Sequence, residues 1–340
     1  MTLVNKITAW GDIKVNKKSN ICIVFDHMPA LPMIDFSTTD IRKFYGYNGI
    51  TNILKQSMPH VDTVIFDSYH NLDFLCKEYK AFYIEDYFHS TIKEYLSLNK
   101  DNLVEFSLKT KKFNYLSNKP REARVLTSCW IANNYYDCGS YNYTQAYYPT
   151  EVEDLLDEFI FVESLSMESK LLPKKWVVYD KSIEQRSSTV LGVTYASNSL
   201  NFFNAIKNEI SPTVFSIVME PVFWEHGCHL SEKYINAILG GTIPIVNGYK
   251  VYEIVKEMGF DTFEDIVDTS AQFEKNPIYR ILNLLEKNKN QLDNAIEIVN
   301  DVSIQQRLKN NIKILENYNY NLARARYSLA DLNFLIDIFK

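Results

Sequence analysis

Long hydrophobic runs are missing from this 340-residue chain: no stretch of about 18 apolar residues appears, so a membrane-spanning helix is not expected. Residues 1–10 lack the charged start and apolar core of a secretion signal, and the expected location is the cytoplasm. Cysteine is sparse. Cys22, Cys76, Cys129, Cys138 and Cys228 are scattered, odd in number and without a Cys-x-x-Cys pair, which predicts reduced thiols rather than a disulfide framework. Glycine and proline number ten each, and the chain has neither an internal repeat nor a low-complexity linker. The glycines form no Gly-x-Gly-x-x-Gly fingerprint and no Gly-Lys-Ser/Thr, which makes a dinucleotide dehydrogenase or a P-loop enzyme a poor fit. Positive charge is also in deficit. The net charge of -6 argues against a surface that coats nucleic acid, although a local groove can still be basic.

What is present is ample core: 46% hydrophobic and 14% aromatic residues, on a length that predicts two domains. The apolar run at 20–25 reads as an interior strand that delivers Asp26 and His27 to its C-terminal end, and a loop with two prolines follows, carrying Asp35. Ligands of open α/β sheets bind at that edge. Asp26, His27 and Asp35 are therefore candidate general bases, against the plainer reading that each caps the next element. The runs at 61–66 and 81–84 repeat the pattern, each ending in carboxylates, and 49–57 and 72–80 read as helices between them. Strands alternating with helices predict a parallel sheet.

Near residue 109 the composition shifts. Lys109, Lys111, Lys112, Lys119, Arg121 and Arg124 place six positive charges within sixteen residues, opposed only by Glu122. A strand at 113–116 and a helix opening at 118–124 are expected there. Residues 133–148 hold six tyrosines around a turn at 137–140, rings that either stack on a sugar or base or pack against their own domain. Residues 151–169 read as an acidic helix, and 176–179 and 190–195 as strands. His226, Cys228 and His229 lack a second ligand pair to complete a tetrahedral zinc site and are expected to line a pocket instead. From 276 onward the chain reads helical, with Ile281, Leu284, Leu285, Leu292, Ile296 and Val299 as an apolar stripe.

The stretch from Leu230 to Val246 organises the rest. Ser231 is a good N-cap, Glu232 and Lys233 fall in the first helical turn, Gly240 and Gly241 end the helix, and 242–246 reads as a buried interior strand. The first turn aims backbone N–H groups outward, so the helix dipole and the Lys233 ammonium suit a phosphate or diphosphate while Glu232 can accept from sugar hydroxyls. Capping alone also accounts for Ser231. Upstream, the apolar strand 215–219 ends in Glu220, and downstream comes Gly259-Phe-Asp-Thr-Phe263.

A strand ending in Glu, then Ser-Glu-Lys, a helix, Gly-x-Ile-Pro-Ile-Val and a later Gly-Phe-x-Thr-Phe resembles the donor-binding half of fucosyltransferase-like and exostosin-like glycosyltransferases over 111–268. The resemblance implies an α/β protein of the GT-B type, two Rossmann-like domains facing across a cleft. An acceptor domain would span 1–110 and a nucleotide-sugar domain 111–325, with a helix at 326–340 crossing back. It puts Glu220, Ser231, Glu232, Lys233 and either Arg121 or Arg124, with helix phase favouring Arg124, on the donor. No resident cofactor is implied, only a UDP- or GDP-sugar as co-substrate. The sequence holds no Asp-x-Asp, which disfavours the metal-dependent glycosyltransferases that use that motif. The acceptor is a glycan or other hydroxyl. An alternative is a hydroxymethylated DNA base, since the Lys-, Asn-, Ile- and Tyr-rich composition is one associated with phages, whose enzymes act in the host cytoplasm. A catalytically inactive nucleotide-sugar or glycan-binding module is the remaining alternative.

Overall fold

The structure, a computed structural model, describes residues 5–8, 13–25, 47–66, 69–70, 78–83, 108–117, 126–127, 130–131, 134–135, 138–143, 206–220, 227–228, 230–274 and 276–318. Asp26, His27, Asp35, Arg121, Arg124, His226 and His229, and the readings at 118–124, 151–169, 176–179, 190–195 and 326–340, lie outside the described residues. The chain divides into two compact units. One comprises Met1–Ser90, His226–Leu230 and Tyr318–Lys340; the other comprises Thr91–Glu225 and Ser231–Asn317.

In the first unit, β1 (Asn5–Thr8), β2 (Ile13–Lys14), β3 (Ile21–Phe25), α1 (Tyr47–Ser57), β4 (Thr63–Phe66) and β5 (Lys80–Tyr83) form in chain order. The five strands make one sheet in the order β2-β1-β3-β4-β5, parallel throughout except for β2. The apolar runs become strands because both faces are to be covered: Cys22, Val64 and Ile65 are buried, as are Leu54 of α1 and Met58 just after it. Burial pushes the Cys22 thiol up to about 12, as befits an inert core cysteine. Asn20 and Asp62 tie the entrances of β3 and β4, with Nδ2 donating to both carboxylate oxygens at 3.0 Å. The helix expected at 72–80 lies outside the described residues except at its end, where Glu78 and Tyr79 turn and Lys80 already opens β5. Gly227–Cys228 pairs antiparallel with Tyr69–His70, so backbone pairing holds the middle of the expected pocket loop.

The second unit holds β6 (Lys111–Ser117), β7 (Gly139–Tyr143), β8 (Thr213–Met219), α2 (Glu232–Leu239), β9 (Ile243–Asn247) and α3 (Val251–Glu257). Four further helices follow, α4 (Pro277–Lys287), α5 (Lys289–Asp293), α6 (Ala295–Val299) and α7 (Val302–Glu316). The sheet is all parallel, ordered β9-β8-β6-β7. Every residue of β8 and β9 is buried. Read as interior, the strand at 242–246 is an edge strand among the described residues. Its burial reflects covered faces rather than neighbours on both sides. A buried polar chain joins β6, β8 and the residue before β9: Asn114 Nδ2 donates to Thr213 Oγ1 (2.7 Å) and Ser216 Oγ (2.6 Å), and Ser216 Oγ meets Thr242 Oγ1 at 2.6 Å. Such a network is satisfied in one register only, which pins the strand pairing.

Two other expectations change. Ile281, Leu284, Leu285, Leu292 and Val299 of the stripe are core, but Ile296 is half-buried with Ala295 in the core beside it, and the chain breaks between α4 and α5, where buried Asn288 donates to Leu284 O and Asp268 O and accepts from Asp268 N. The tyrosine-rich stretch is partly sheet. Tyr135 is buried edge-on against Phe113 (ring centroids 5.6 Å apart) with its hydroxyl donating to Asp293, and Gly139 opens β7 where any Cβ would lie 2.6 Å from Phe113 Cζ.

Candidate nucleotide-phosphate site at the start of helix α2

Strand β8 ends at Met219, and the next residue, Glu220, stands at the C-terminal edge of the parallel sheet. After the connection, Ser231 adopts an extended backbone (φ -116°, ψ -177°) and caps α2, its Oγ accepting from Lys233 N at 3.3 Å. Glu220 takes the two remaining donors of the cap: Ser231 N–H reaches Oε1 at 2.8 Å and Ser231 Oγ reaches Oε2 at 2.5 Å. Lys233 Nζ donates to Ser231 Oγ (3.1 Å) and to Glu232 Oε1 (2.9 Å). Strand end, cap and first turn thus form one connected cluster.

Its members differ in access. Glu220 is 2% exposed, whereas the side chains of Lys233 and Glu232 keep 21% and 24% of their surface. Burial pushes the Glu220 carboxyl up, opposed by the Lys233 charge and the Ser231 hydrogen bond, with Glu232 adding to the upward push. Two carboxyl groups therefore share one ammonium, and protonating Glu220 leaves the Lys233–Glu232 pair neutral beside a positive helix end. An incoming phosphate can recruit Lys233 by exchange with Glu232, freeing that carboxylate to accept hydroxyl hydrogens. The helix stop differs in detail from the double-glycine reading. Gly241 (φ 60°) supplies the left-handed residue of a Schellman motif, with Thr242 N bonding Ala237 O and Gly241 N bonding Ile238 O, while Gly240 is αR. Glycine at 240 is required by space, since a Cβ there would collide with Ile210.

The Gly-Phe-Asp-Thr-Phe segment is a packing element. Gly259 (φ 95°) and Phe263 (φ 53°) adopt left-handed conformations, and Arg307 of α7 binds Asp261 and Asp265 while lying 4.6 Å from the Phe263 ring centroid. The basic run is partly structural too. Lys109 Nζ donates to Ser211 O (2.8 Å) and Gly240 O (3.1 Å), and Lys112 Nζ donates to Asp293 O.

Sequence reasoning missed two buried polar residues. Asn247 closes β9, and Arg280, 1% exposed in the first turn of α4, donates through Nη1 to Glu274 O. The available signal was a polar residue interrupting an apolar pattern. No family model, curated protein or solved structure matches the chain. Among the described residues, no helix is long and apolar enough to cross a membrane, and no group of three or more His, Cys, Asp or Glu could hold a metal ion.

Proposed function

We propose that the chain is a glycosyltransferase of the GT-B type that uses a nucleoside-diphosphate sugar, UDP- or GDP-linked, as co-substrate. The observation carrying this reading is the capped start of α2, where Ser231, a partly exposed Lys233 and a positive helix end meet at the C-terminal edge of parallel strands. The acceptor oxygen bonds to the anomeric carbon of the donor as the bond from that carbon to the diphosphate breaks. Its electron pair departs with the nucleoside diphosphate, and the hydroxyl proton passes to a carboxylate or imidazole drawn from Asp26, Asp35 and His27. Charge growing on the diphosphate is met by Lys233, by the helix end and by Arg124 or Arg121. A glycan hydroxyl is the favoured acceptor. The alternative, hydroxymethylated DNA, is weakened because Lys109 and Tyr135 are engaged inside the fold and Lys112 bonds the Asp293 carbonyl at the surface, which leaves less of the basic, aromatic wall that a strand requires.

A thermal-shift panel of nucleotide sugars tests the donor. Ligand at a hundredfold over its Kd stabilises by about 2.7 kcal/mol. Isotopically labelled donor then separates an enzyme, which yields labelled product, from an inactive binding module. Asp26→Asn or Asp35→Asn should lower turnover while donor affinity holds.

A further inference from the structure

The edge of the second sheet carries a polar group that α2 and its cap do not use. Asn247 is the last residue of β9 and pairs in register with Met219, the residue before Glu220. It is 1% exposed, and neither Oδ1 nor Nδ2 has a hydrogen-bond partner among the described residues. Part-exposed Asn236 of α2 lacks a partner on Oδ1 alone, and the other fully buried asparagines described are matched. Asn114 donates to Thr213 and Ser216, Asn288 bonds Leu284 and Asp268, and Asn311 bonds the Asp261 backbone through both of its side-chain polar atoms. A buried amide without partners is costly, and its survival at the ligand edge of a parallel sheet calls for a partner from outside the chain.

The chemistry of the amide fits a planar partner. The chain after Asn247 is fastened, because Lys250 adopts a left-handed conformation (φ 55°) and its N–H bonds Gln272 O. An amide presents a donor and an acceptor side by side; a phosphate would use only the donor, whereas the edge of a heterocyclic base uses both.

We propose that Asn247 is a specificity-determining residue that reads the nucleobase of a nucleotide whose phosphates lie at the start of α2. This rests on the donor reading given above. At 1% exposure the amide is reached only as the side chains around it part, so base recognition is coupled to that opening.

The test is calorimetric binding of UDP, GDP, ADP and CDP to the full chain, in the wild type and in Asn247→Leu, Asn247→Asp and Lys233→Ala. The wild type is expected to prefer one base by about tenfold or more, as one good bidentate contact provides. Asn247→Leu should erase that preference while raising Tm, since it removes a buried unpartnered amide. Asn247→Asp, which replaces the donor by an acceptor at constant size, should change the order of bases, and it stands in if the leucine variant does not fold. Lys233→Ala should weaken all four nucleotides alike. Unchanged base preference in both Asn247 variants, with the Lys233 effect intact, overturns the assignment and leaves the donor site standing. Failure of the wild type to bind any of the four overturns the donor site and this assignment together.

Discussion

The Glu220 carboxylate receives both the backbone N–H and the hydroxyl of Ser231, eleven residues further along the chain. Replacing Glu220 by Ala leaves two buried donors without an acceptor and should cost about 1–3 kcal/mol for each group left unpaired. Burial raises the folded-state pKa of this group. The folded state then binds more protons than the unfolded chain, so the Glu220 contribution is fully present below about pH 4.3 and is lost as pH rises through the folded-state value. Denaturant unfolding across that range should show the decline in the wild type and a flatter profile in Glu220→Gln.

At the more accessible side of the same cluster, Lys233→Ala and Glu232→Ala should shift Tm only slightly, because a pair that keeps part of its surface in water contributes about 0–1 kcal/mol. Nucleotide-sugar affinity should fall by tenfold or more in each, since charge-assisted hydrogen bonds to a ligand contribute about 1.5–3 kcal/mol. Titration calorimetry checks it, and wild-type affinity in both variants removes the donor site.

Lys109 is a second source of pH dependence, with the opposite sign. Burial pushes its ammonium down to about 7, and a neutral amine still has two N–H groups for the carbonyls of Ser211 and Gly240. Between about pH 7 and 10.4 the unfolded chain therefore binds more protons, and the Lys109 contribution to stability should rise with pH over that window. Lys109→Met should abolish the rise, which thermal melts at stepped pH would reveal.

Arg307 makes paired contacts with Asp261 (2.6 and 2.9 Å) and Asp265 (2.7 Å each) while covering the Phe263 ring. Arg307→Ala should lower stability by about 1–3 kcal/mol, most of it from the less exposed Asp261 contact. Arg307→Lys should recover little, because an ammonium cannot fork between two carboxylates. Urea midpoints of the three proteins decide it.

The strands at 20–25, 61–66, 113–116 and 215–219 were legible because burial writes itself as short, mainly apolar runs, interrupted at Asn114 and Ser216 only where the side chains bond each other. Ser231 was legible because capping is local chemistry. Strand β7 was not, since Gly139-Ser-Tyr-Asn-Tyr143 lacks such a run and is defined by its parallel pairing with β6 and by the space that Phe113 denies to a side chain. Lys109 read as one of six positive charges in a basic run, yet its partners lie 102 and 131 residues away. The unmatched Asn247 amide was equally hidden, because a lack of partners is a property of the packed chain.

Helix α2 is latched at both ends by side chains remote in sequence, Glu220 at its cap and Lys109 at the Gly240 carbonyl. A short helix ordinarily frays from its termini, and amide hydrogens leak out turn by turn. With neither terminus free, the amides of α2 should exchange together and slowly, at the pace at which the whole second unit opens.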